Sequence, residues 1–183
     1  MHTTRKWKFY QQSRRPDDQR GISTGDTAGD HIEIGSAGQL LTIIENLLST
    51  QRLAVLSSQQ NGAPYGNLVA FASADELARL IFVTPRATRK FSNILYEPRV
   101  AMVVDNRSND SNDFSKAIAV TAIGRAIEAD LQERDRLRGA FLSKHPYLED
   151  FARAPDSAIV AVNVQTYYCV YRFQNVMELH LES

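Results

Sequence analysis

The sequence predicts a mainly β protein, an antiparallel barrel of about seven strands with peripheral helices. Three observations support this fold class. Short runs rich in β-branched and aromatic residues recur along the chain from residue 52 onward. Asn61-Gly62, a strong signal for a tight hairpin turn, separates the first two runs. Strands and helices do not alternate regularly, which disfavours a doubly wound parallel sheet.

An amphipathic helix of about three turns is predicted to begin the ordered part of the chain. Ser36 and Gln39 have the spacing of a capping box, in which both side chains satisfy backbone N–H groups at a helix start. Five apolar residues then follow at helical intervals: Leu40, Ile43, Ile44, Leu47 and Leu48.

The later elements follow from the same periodicities. Strands are predicted at residues 52–58, 66–72, 79–84, 99–105, 117–128, 158–164, 167–173 and 176–181. Gly124 is expected to mark a bulge. The polar run at 105–113 is predicted to be a loop, and the pair Asp130 and Glu133 to begin a second helix. A short helical turn is expected after Pro146.

Residues 1–35 are predicted to be a flexible N-terminal arm, and residues 36–183 the folded domain. The arm holds four of the nine glycines, and its apolar residues show no regular period. A solvated tail is the favoured interpretation. Docking of Trp7, Phe9 and Tyr10, for instance on a partner subunit, is the alternative.

The overall composition excludes several classes of function. The 183 residues include 21 basic and 21 acidic side chains, whereas nucleic-acid binders usually carry a basic excess. No apolar run approaches the ~18 residues of a membrane span. Cys169 is the single cysteine, which permits no internal disulfide and suits a reducing compartment. We therefore expect a cytoplasmic protein that binds neither nucleic acid nor membrane.

The charge is concentrated in one segment, residues 84–99. This segment contains four cations and one anion: Arg86, Arg89, Lys90, Arg99 and Glu97. A strand is predicted to end here and a short helix to begin. The hydroxyls of Thr84 and Thr88, the free N–H groups of the helix start and the cations would then converge, as in a phosphate site. A solvated basic helix start is the alternative.

Three stretches of the sequence resemble the pyridoxamine 5′-phosphate oxidase-like superfamily. They are residues 62–72, residues 82–90 with their Thr88-Arg89-Lys90 step, and Asn93 followed by the run 98–103. The resemblance extends over about residues 38–130. It implies an FMN-binding split β-barrel, usually a homodimer with the flavin at the subunit interface.

The resemblance also implies a set of FMN-binding residues. Thr88, Arg89 and Lys90 match the step that holds the FMN phosphate, and Thr84 with Val83 matches a flavin-contacting pair. The strand segment whose backbone faces the flavin ring corresponds to Asn67, Leu68, Val69 and Ala70.

The sequence departs from the true oxidase at several positions. Asn67 replaces a phosphate-binding arginine, Ala72 replaces a substrate-binding lysine, and Ala119 stands about where a glutamine is expected. The oxidase's C-terminal signature is absent from residues 167–183. One lost charge-assisted contact weakens binding by about 1.5–3 kcal/mol, or roughly 10- to 150-fold, and Arg86 is expected to restore part of it. Because the substrate-binding lysine and the C-terminal signature are absent, oxidation of pyridoxamine phosphate itself is not expected.

Three functions remain open, and no catalytic residue is assigned. The first is an FMN-dependent oxidoreductase acting on an unknown small molecule, and the second is a flavin-binding module without turnover. The third is a haem-binding or haem-degrading split barrel, in which His180 could bind iron, although a structural strand histidine is the simpler interpretation. The deazaflavin F420 is a further alternative to FMN. The four histidines lack the spacing of a metal site.

Overall fold

A computed structural model describes residues 7–11, 36–171 and 175–182. Its strands are β1 (Trp7–Gln11), β2 (Leu53–Gln60), β3 (Ala63–Ala74), β4 (Arg79–Pro85), β5 (Arg99–Asp105), β6 (Ile118–Glu128), β7 (Ser157–Tyr171) and β8 (Asn175–Leu181). The helices are α1 (Ala37–Thr50), α2 (Arg89–Tyr96), α3 (Asp113–Lys116), α4 (Arg134–Lys144) and α5 (Glu149–Arg153), with a 3₁₀ turn at Pro146–Leu148.

Six antiparallel strands close into a barrel in the order β7-β4-β3-β2-β5-β6, and β6 returns to β7. The tight turn predicted at Asn61-Gly62 joins β2 to β3, with φ of 53° and 77° at its two central residues. The other predicted strands also form, and every pairing is antiparallel. The predicted fold class, a mainly β split barrel with peripheral helices, is therefore confirmed.

The strands predicted at 158–164 and 167–173 are one continuous strand, β7. Its first half pairs with β4 and its second half with β8, while its other edge pairs with β6. The register with β6 shifts between Ile123 and Gly124, so Gln165 bulges out of the ladder as an extra residue on β7. This bulge lets one strand serve both the barrel and its extension.

Five residues within the predicted flexible arm form strand β1, which pairs with β8. Trp7 and Phe9 pack against the main core, and the Trp7 ring lies 5.5 Å from that of Tyr167. The structure thus differs from the predicted solvated tail at these five residues, because the two aromatic side chains bury apolar surface there. Residues 1–6 and 12–35 lie outside the described residues, and the domain boundary at residue 35 stays a prediction.

Two apolar clusters cover different sides of the barrel wall. The larger fills the barrel and packs against α1 and α2, with Leu40, Leu56, Phe71, Phe82 and Met102 fully buried. The smaller lies outside β4 and the start of β7, where α4 and α5 cover the sheet. The outward faces of β2 and β5 have no such helical cover, since their outward residues are only half-buried or exposed.

The turn between β3 and β4 contains three successive non-glycine residues with positive φ: Asp75, Glu76 and Leu77. Long-range contacts hold this backbone. The buried Tyr167 hydroxyl donates to the Leu77 carbonyl at 2.6 Å, and the Val164 N–H donates to the Ala78 carbonyl at 2.9 Å. Within the described residues, no helix is both long and apolar enough to span a membrane.

Candidate functional site

The loop between β4 and α2 brings together the two threonines predicted to bind phosphate. Thr84 ends the buried part of β4, and Thr88 is the N-cap of α2. Their hydroxyl oxygens lie 3.0 Å apart, and Thr88 Oγ1 donates to the Pro85 carbonyl at 2.8 Å. The turn is therefore compact, and both hydroxyls lie at the start of the helix.

The first turn of α2 leaves its backbone donors available. The helical bonds begin with the Ser92 N–H, which donates to the Thr88 carbonyl at 3.1 Å, so the three preceding amides have no acceptor within the helix. An N-cap threonine normally accepts from such amides, but here Thr88 makes no side-chain capping bond. Free amides at the positive end of a helix dipole favour an anion.

The four cations of segment 84–99 divide into two pairs. Arg86 and Arg99 form ion pairs with Glu128 and Glu97, respectively. Arg89 and Lys90 have no carboxylate within 4.0 Å among the residues that the structure describes. The positive charge available to an external anion therefore belongs to the pair that begins α2.

Both unpaired cations are nevertheless held by their surroundings. The Arg89 guanidinium lies over the Tyr65 ring, 4.9 Å from its centroid, which is within the range of a cation–π contact. Lys90 is half-buried, and loss of hydration lowers the pKa of its ammonium group from the usual value of 10.5. An anionic ligand would offset that loss and stabilise the charged form.

Beside this helix start, part of one edge of β3 pairs with no strand that the structure describes. Residues 63–70 pair with β2 on one edge, whereas the ladder to β4 includes only Phe71–Ala74 on the other. Continuing the register from Phe71–Phe82 by two residues brings Val69 level with Thr84. The backbone groups of residues 67–70 therefore face a gap in the ladder at the end of the strand that carries the threonine pair.

The same segment carries a side chain whose polar atoms are buried. Both amide atoms of Asn67 are buried and have no hydrogen-bond partner in the described part of the chain, and the same holds for Oδ1 of Asn93 on α2. The Asn93 amide nitrogen donates to Ser58 Oγ at 3.1 Å, and Ser58 is a diagonal neighbour of Asn67 across the β2–β3 pair. Buried amides without partners are costly, and each unpaired atom is therefore available to a ligand or water.

The ten predicted cofactor residues lie on β3, on β4 and on the loop and helix start that follow β4. Asn67, Leu68, Val69 and Ala70 lie on β3; Val83 and Thr84 on β4; Arg86 and Thr88 in the following turn; and Arg89 and Lys90 at the start of α2. Leu68 is 65% exposed, whereas Val69 and Val83 are buried. The guanidinium of Arg86 is turned toward the chain's own carbonyls and Glu128.

Sequence reasoning assigned no role to Tyr65 or Glu128. Tyr65 lies two residues before Asn67 on β3, and residues two apart in a strand share one face. The strand period could therefore have identified Tyr65 as part of the site. Glu128 gave no comparable signal, because it is 42 residues from Arg86 along the chain.

An open groove of about 410 Å³ lies on the uncovered outer face of the barrel. Its floor is formed by side chains of three adjacent strands: Leu53, Val55, Leu68 and Val103. Leu53 is 54% exposed, and Leu68, which also lines this groove, belongs to the part of β3 that is not paired with β4. Five polar residues also line it: Thr50, Gln51, Arg52, Asp105 and Arg107.

The described histidines are fully engaged. His145 is buried, with Nε2 2.8 Å from the Phe71 carbonyl and Nδ1 3.2 Å from the Tyr147 hydroxyl. His180 has Nδ1 3.2 Å from Thr166 Oγ1 and Nε2 2.8 Å from a Glu178 carboxylate oxygen. His2 and His31 lie outside the described residues. Among those described, no cluster of three or more metal-binding side chains is present.

Residues 42–171 match the family model described as pyridoxamine 5′-phosphate oxidase. No match to the sequence is found among the curated proteins.

Solved structures share the fold at low sequence identity. A haem-binding protein from Mycobacterium smegmatis is 16% identical, with a TM-score of 0.65, over 74% of this chain and 55% of that protein. ChuZ from Campylobacter jejuni is 10% identical, with a TM-score of 0.67, over 79% of this chain and 61% of ChuZ. A FAD-binding protein from Mesorhizobium loti is 15% identical, with a TM-score of 0.56, over 75% of this chain and 93% of that protein.

The family match includes all the strands that close the barrel, together with the loop and helix start described above. The sequence motifs, the barrel and the matched residues therefore agree, and the chain belongs to the pyridoxamine 5′-phosphate oxidase family.

Proposed function

We propose that this protein binds FMN and is a flavin-dependent oxidoreductase acting on a small molecule. One juxtaposition carries the proposal. Among the described residues, a helix start with free amides and two cations unpaired by carboxylates lies beside an unpaired strand edge. FMN carries a phosphate and a flat, hydrogen-bonding ring, joined by a ribityl chain, and its two ends match these two features.

The residues of the site have the chemistry that FMN would require. Thr88, Arg89 and Lys90 would hold the phosphate, together with the first amides of α2. The unpaired Asn67 amide can donate a hydrogen bond in place of the arginine of the true oxidase, but without a charge. The backbone of Leu68, Val69 and Ala70 would face the ring.

FMN, when bound, supplies the hydride or electron chemistry, which requires no protein acid or base. The protein contributes binding, orientation and exclusion of water. This division of roles suits a site that offers two cations, two threonine hydroxyls, an asparagine amide and backbone amides, and to which no acid or base role is assigned. Because no catalytic residue is assigned, a flavin-binding module without turnover is the alternative function.

We further propose that the protein is a homodimer whose subunits meet on the uncovered outer face of the barrel. Leu53 and Leu68 are 54% and 65% exposed on this face, and the groove between them has an aliphatic floor. Burial of such a patch against a second copy would stabilise the dimer at about 25 cal/mol per Å² of apolar surface before association costs. Because Leu68 also belongs to the part of β3 that is not paired with β4, the partner would complete the flavin site.

Haem is the alternative cofactor, since one of the structural neighbours is described as a haem-binding protein. No observation within the described residues favours it. His145 and His180 use both ring nitrogens in contacts with the protein, so each would have to break a hydrogen bond to bind iron. F420, which also carries a phosphate, would use the same helix start as FMN.

The visible spectrum of the purified protein tests the choice of cofactor. A flavin spectrum supports the proposal, whereas a Soret band would support haem. If the purified protein is colourless, titration with FMN and with riboflavin follows. FMN is expected to bind more tightly, because riboflavin lacks the phosphate that the helix start would hold.

Lys90→Gln tests the assigned site, with Lys116→Gln as a matched control on the exposed helix α3. One lost charge-assisted contact should weaken FMN by about 10- to 150-fold and leave riboflavin nearly unchanged. The control should change neither. Equal losses for FMN and riboflavin, or no loss at all, would show that the phosphate is not held at Lys90. A protein that binds neither flavin would refute the function.

A further inference from the structure

Arg86 lies in the loop between β4 and α2, but its contacts are directed away from the helix start. Its guanidinium donates to the Pro155 and Ser157 carbonyls, each at 3.1 Å, and to the Glu128 carboxylate. Its backbone N–H donates to the Asp156 carbonyl at 2.9 Å. Both the side chain and the main chain of Arg86 are therefore attached to the α5–β7 junction, and the side chain also to the end of β6.

These contacts make Arg86 a poor phosphate ligand. Its charge is already neutralised by Glu128, and its donors are directed to three acceptors of the chain. Rotation toward a phosphate would leave the Glu128 carboxylate, whose side chain is only 27% exposed, without its partner. Separation of a partly buried ion pair offsets much of the gain from a new contact.

We propose that Arg86 is a positioning residue that holds the phosphate-binding loop in place and does not itself touch the phosphate. This inference rests on the proposed FMN site. Arg86 follows Pro85, whose carbonyl accepts from both the hydroxyl and the backbone N–H of Thr88, at 2.8 Å and 3.3 Å. Anchoring of Arg86 therefore also determines where Thr88 and the first amides of α2 lie. A preorganised loop loses less conformational entropy when the ligand binds.

The positioning role and a direct phosphate contact predict different results for Glu128→Gln. If Arg86 positions the loop, loss of its charged partner loosens the loop and weakens FMN. If Arg86 binds phosphate directly, loss of Glu128 frees the guanidinium, and FMN binds equally well or more tightly. Both roles predict weaker FMN binding for Arg86→Gln, so the glutamate variant is the informative one.

The experiment measures amide hydrogen exchange of the peptide spanning residues 83–91 in the flavin-free protein, and then FMN affinity. Arg99→Gln is the matched control. It also removes one positive charge from segment 84–99, but the ion pair that it breaks, Arg99 with Glu97, is on the surface. We expect faster exchange in Arg86→Gln and Glu128→Gln, but not in Arg99→Gln. FMN should weaken by about tenfold or more in Arg86→Gln. The Glu128→Gln change should weaken it too, and the double variant should lose less than the product of the two single losses.

Unchanged exchange in both Arg86→Gln and Glu128→Gln would overturn the inference, as would FMN binding in Glu128→Gln that is equal to or tighter than that of the wild-type protein. The exchange measurement requires no ligand. Failure of the wild-type protein to bind FMN would therefore refute the proposed function, while the loop-anchoring role is still decided by exchange.

Discussion

Replacement of Gly124 by alanine should destabilise the barrel, because the new methyl group would meet main-chain atoms. Gly124 lies on β6 opposite Val164, next to the extra residue Gln165 of β7. A Cβ at this position would lie 2.2 Å from the Asn163 carbonyl oxygen, 2.9 Å from its carbon and 3.0 Å from the Val164 Cα. All three are backbone atoms, so no side-chain rotation relieves the clash.

The distance by which β7 must move determines how much stability the substitution costs. Ordinary contacts of a Cβ begin at 3.4 Å, so β7 would have to move by roughly 1 Å. That movement would strain the hydrogen bond from Val164 N–H to the Ala78 carbonyl. Overpacking of this kind typically lowers the free energy of unfolding by about 1–3 kcal/mol. Because a backbone hydrogen bond is strained as well, we expect a value at the upper end of this range, about 3 kcal/mol. At about 2–4 °C per kcal/mol for a chain of this size, the melting temperature should fall by roughly 6–12 °C.

Thermal unfolding followed by circular dichroism measures the effect, and Gly139→Ala provides a matched control. Gly139 lies within α4, where an added Cβ would meet nothing within 4 Å. The same substitution there should stabilise the protein by about 0.5–1 kcal/mol, since alanine is the better helix former. A Gly124→Ala protein that melts at or above the wild-type temperature would refute the bulge geometry.

Three further predictions concern single groups. Tyr167→Phe leaves the Leu77 carbonyl without its buried donor and should cost about 1–3 kcal/mol in urea unfolding; an unchanged midpoint would contradict that contact. Cys169 is buried, and burial raises the pKa of its thiol to about 12. A thiol reagent at pH 8 should therefore modify it only after denaturation. Modification of the native protein as fast as that of the denatured protein would contradict the burial. FMN affinity should fall as the pH rises through the pKa of Lys90, because the neutral amine no longer attracts phosphate. This fall should occur below pH 10.5, since burial lowers the pKa of Lys90 from that value. That fall should be absent from Lys90→Gln, and its persistence there would assign the titration to another group.

The local elements were predictable because local rules decide them. Ser36 caps α1 by accepting from the Gln39 N–H, as the capping pair predicts, and Asn61-Gly62 forms the hairpin turn. The strands follow the two-residue period of buried and outward residues. The β7 strand was divided in two because the outward bulge at Gln165 interrupts that period. The strand at Trp7–Gln11 was missed, since its partner β8 is at the other end of the chain.

The candidate site was predictable in outline and not in its electrostatics. Composition located a surplus of cations in residues 84–99, and the motif placed Thr88, Arg89 and Lys90 at a helix start. Composition could not separate the cations that are paired from those that are not. That division depends on Glu128, which is distant in sequence and reaches Arg86 only because β6 and β7 pair beside the loop.

The sequence by itself determined the strand periodicity, the turn and helix caps, and the identity of the groups that could hold a phosphate, because each depends on residues a few positions apart. Only the tertiary structure decided how the barrel closes and where its ladder is interrupted. It also decided that, among the described residues, Arg86 and Arg99 have carboxylate partners whereas Arg89 and Lys90 have none. These properties depend on contacts between residues far apart in the chain, which the folded barrel brings together.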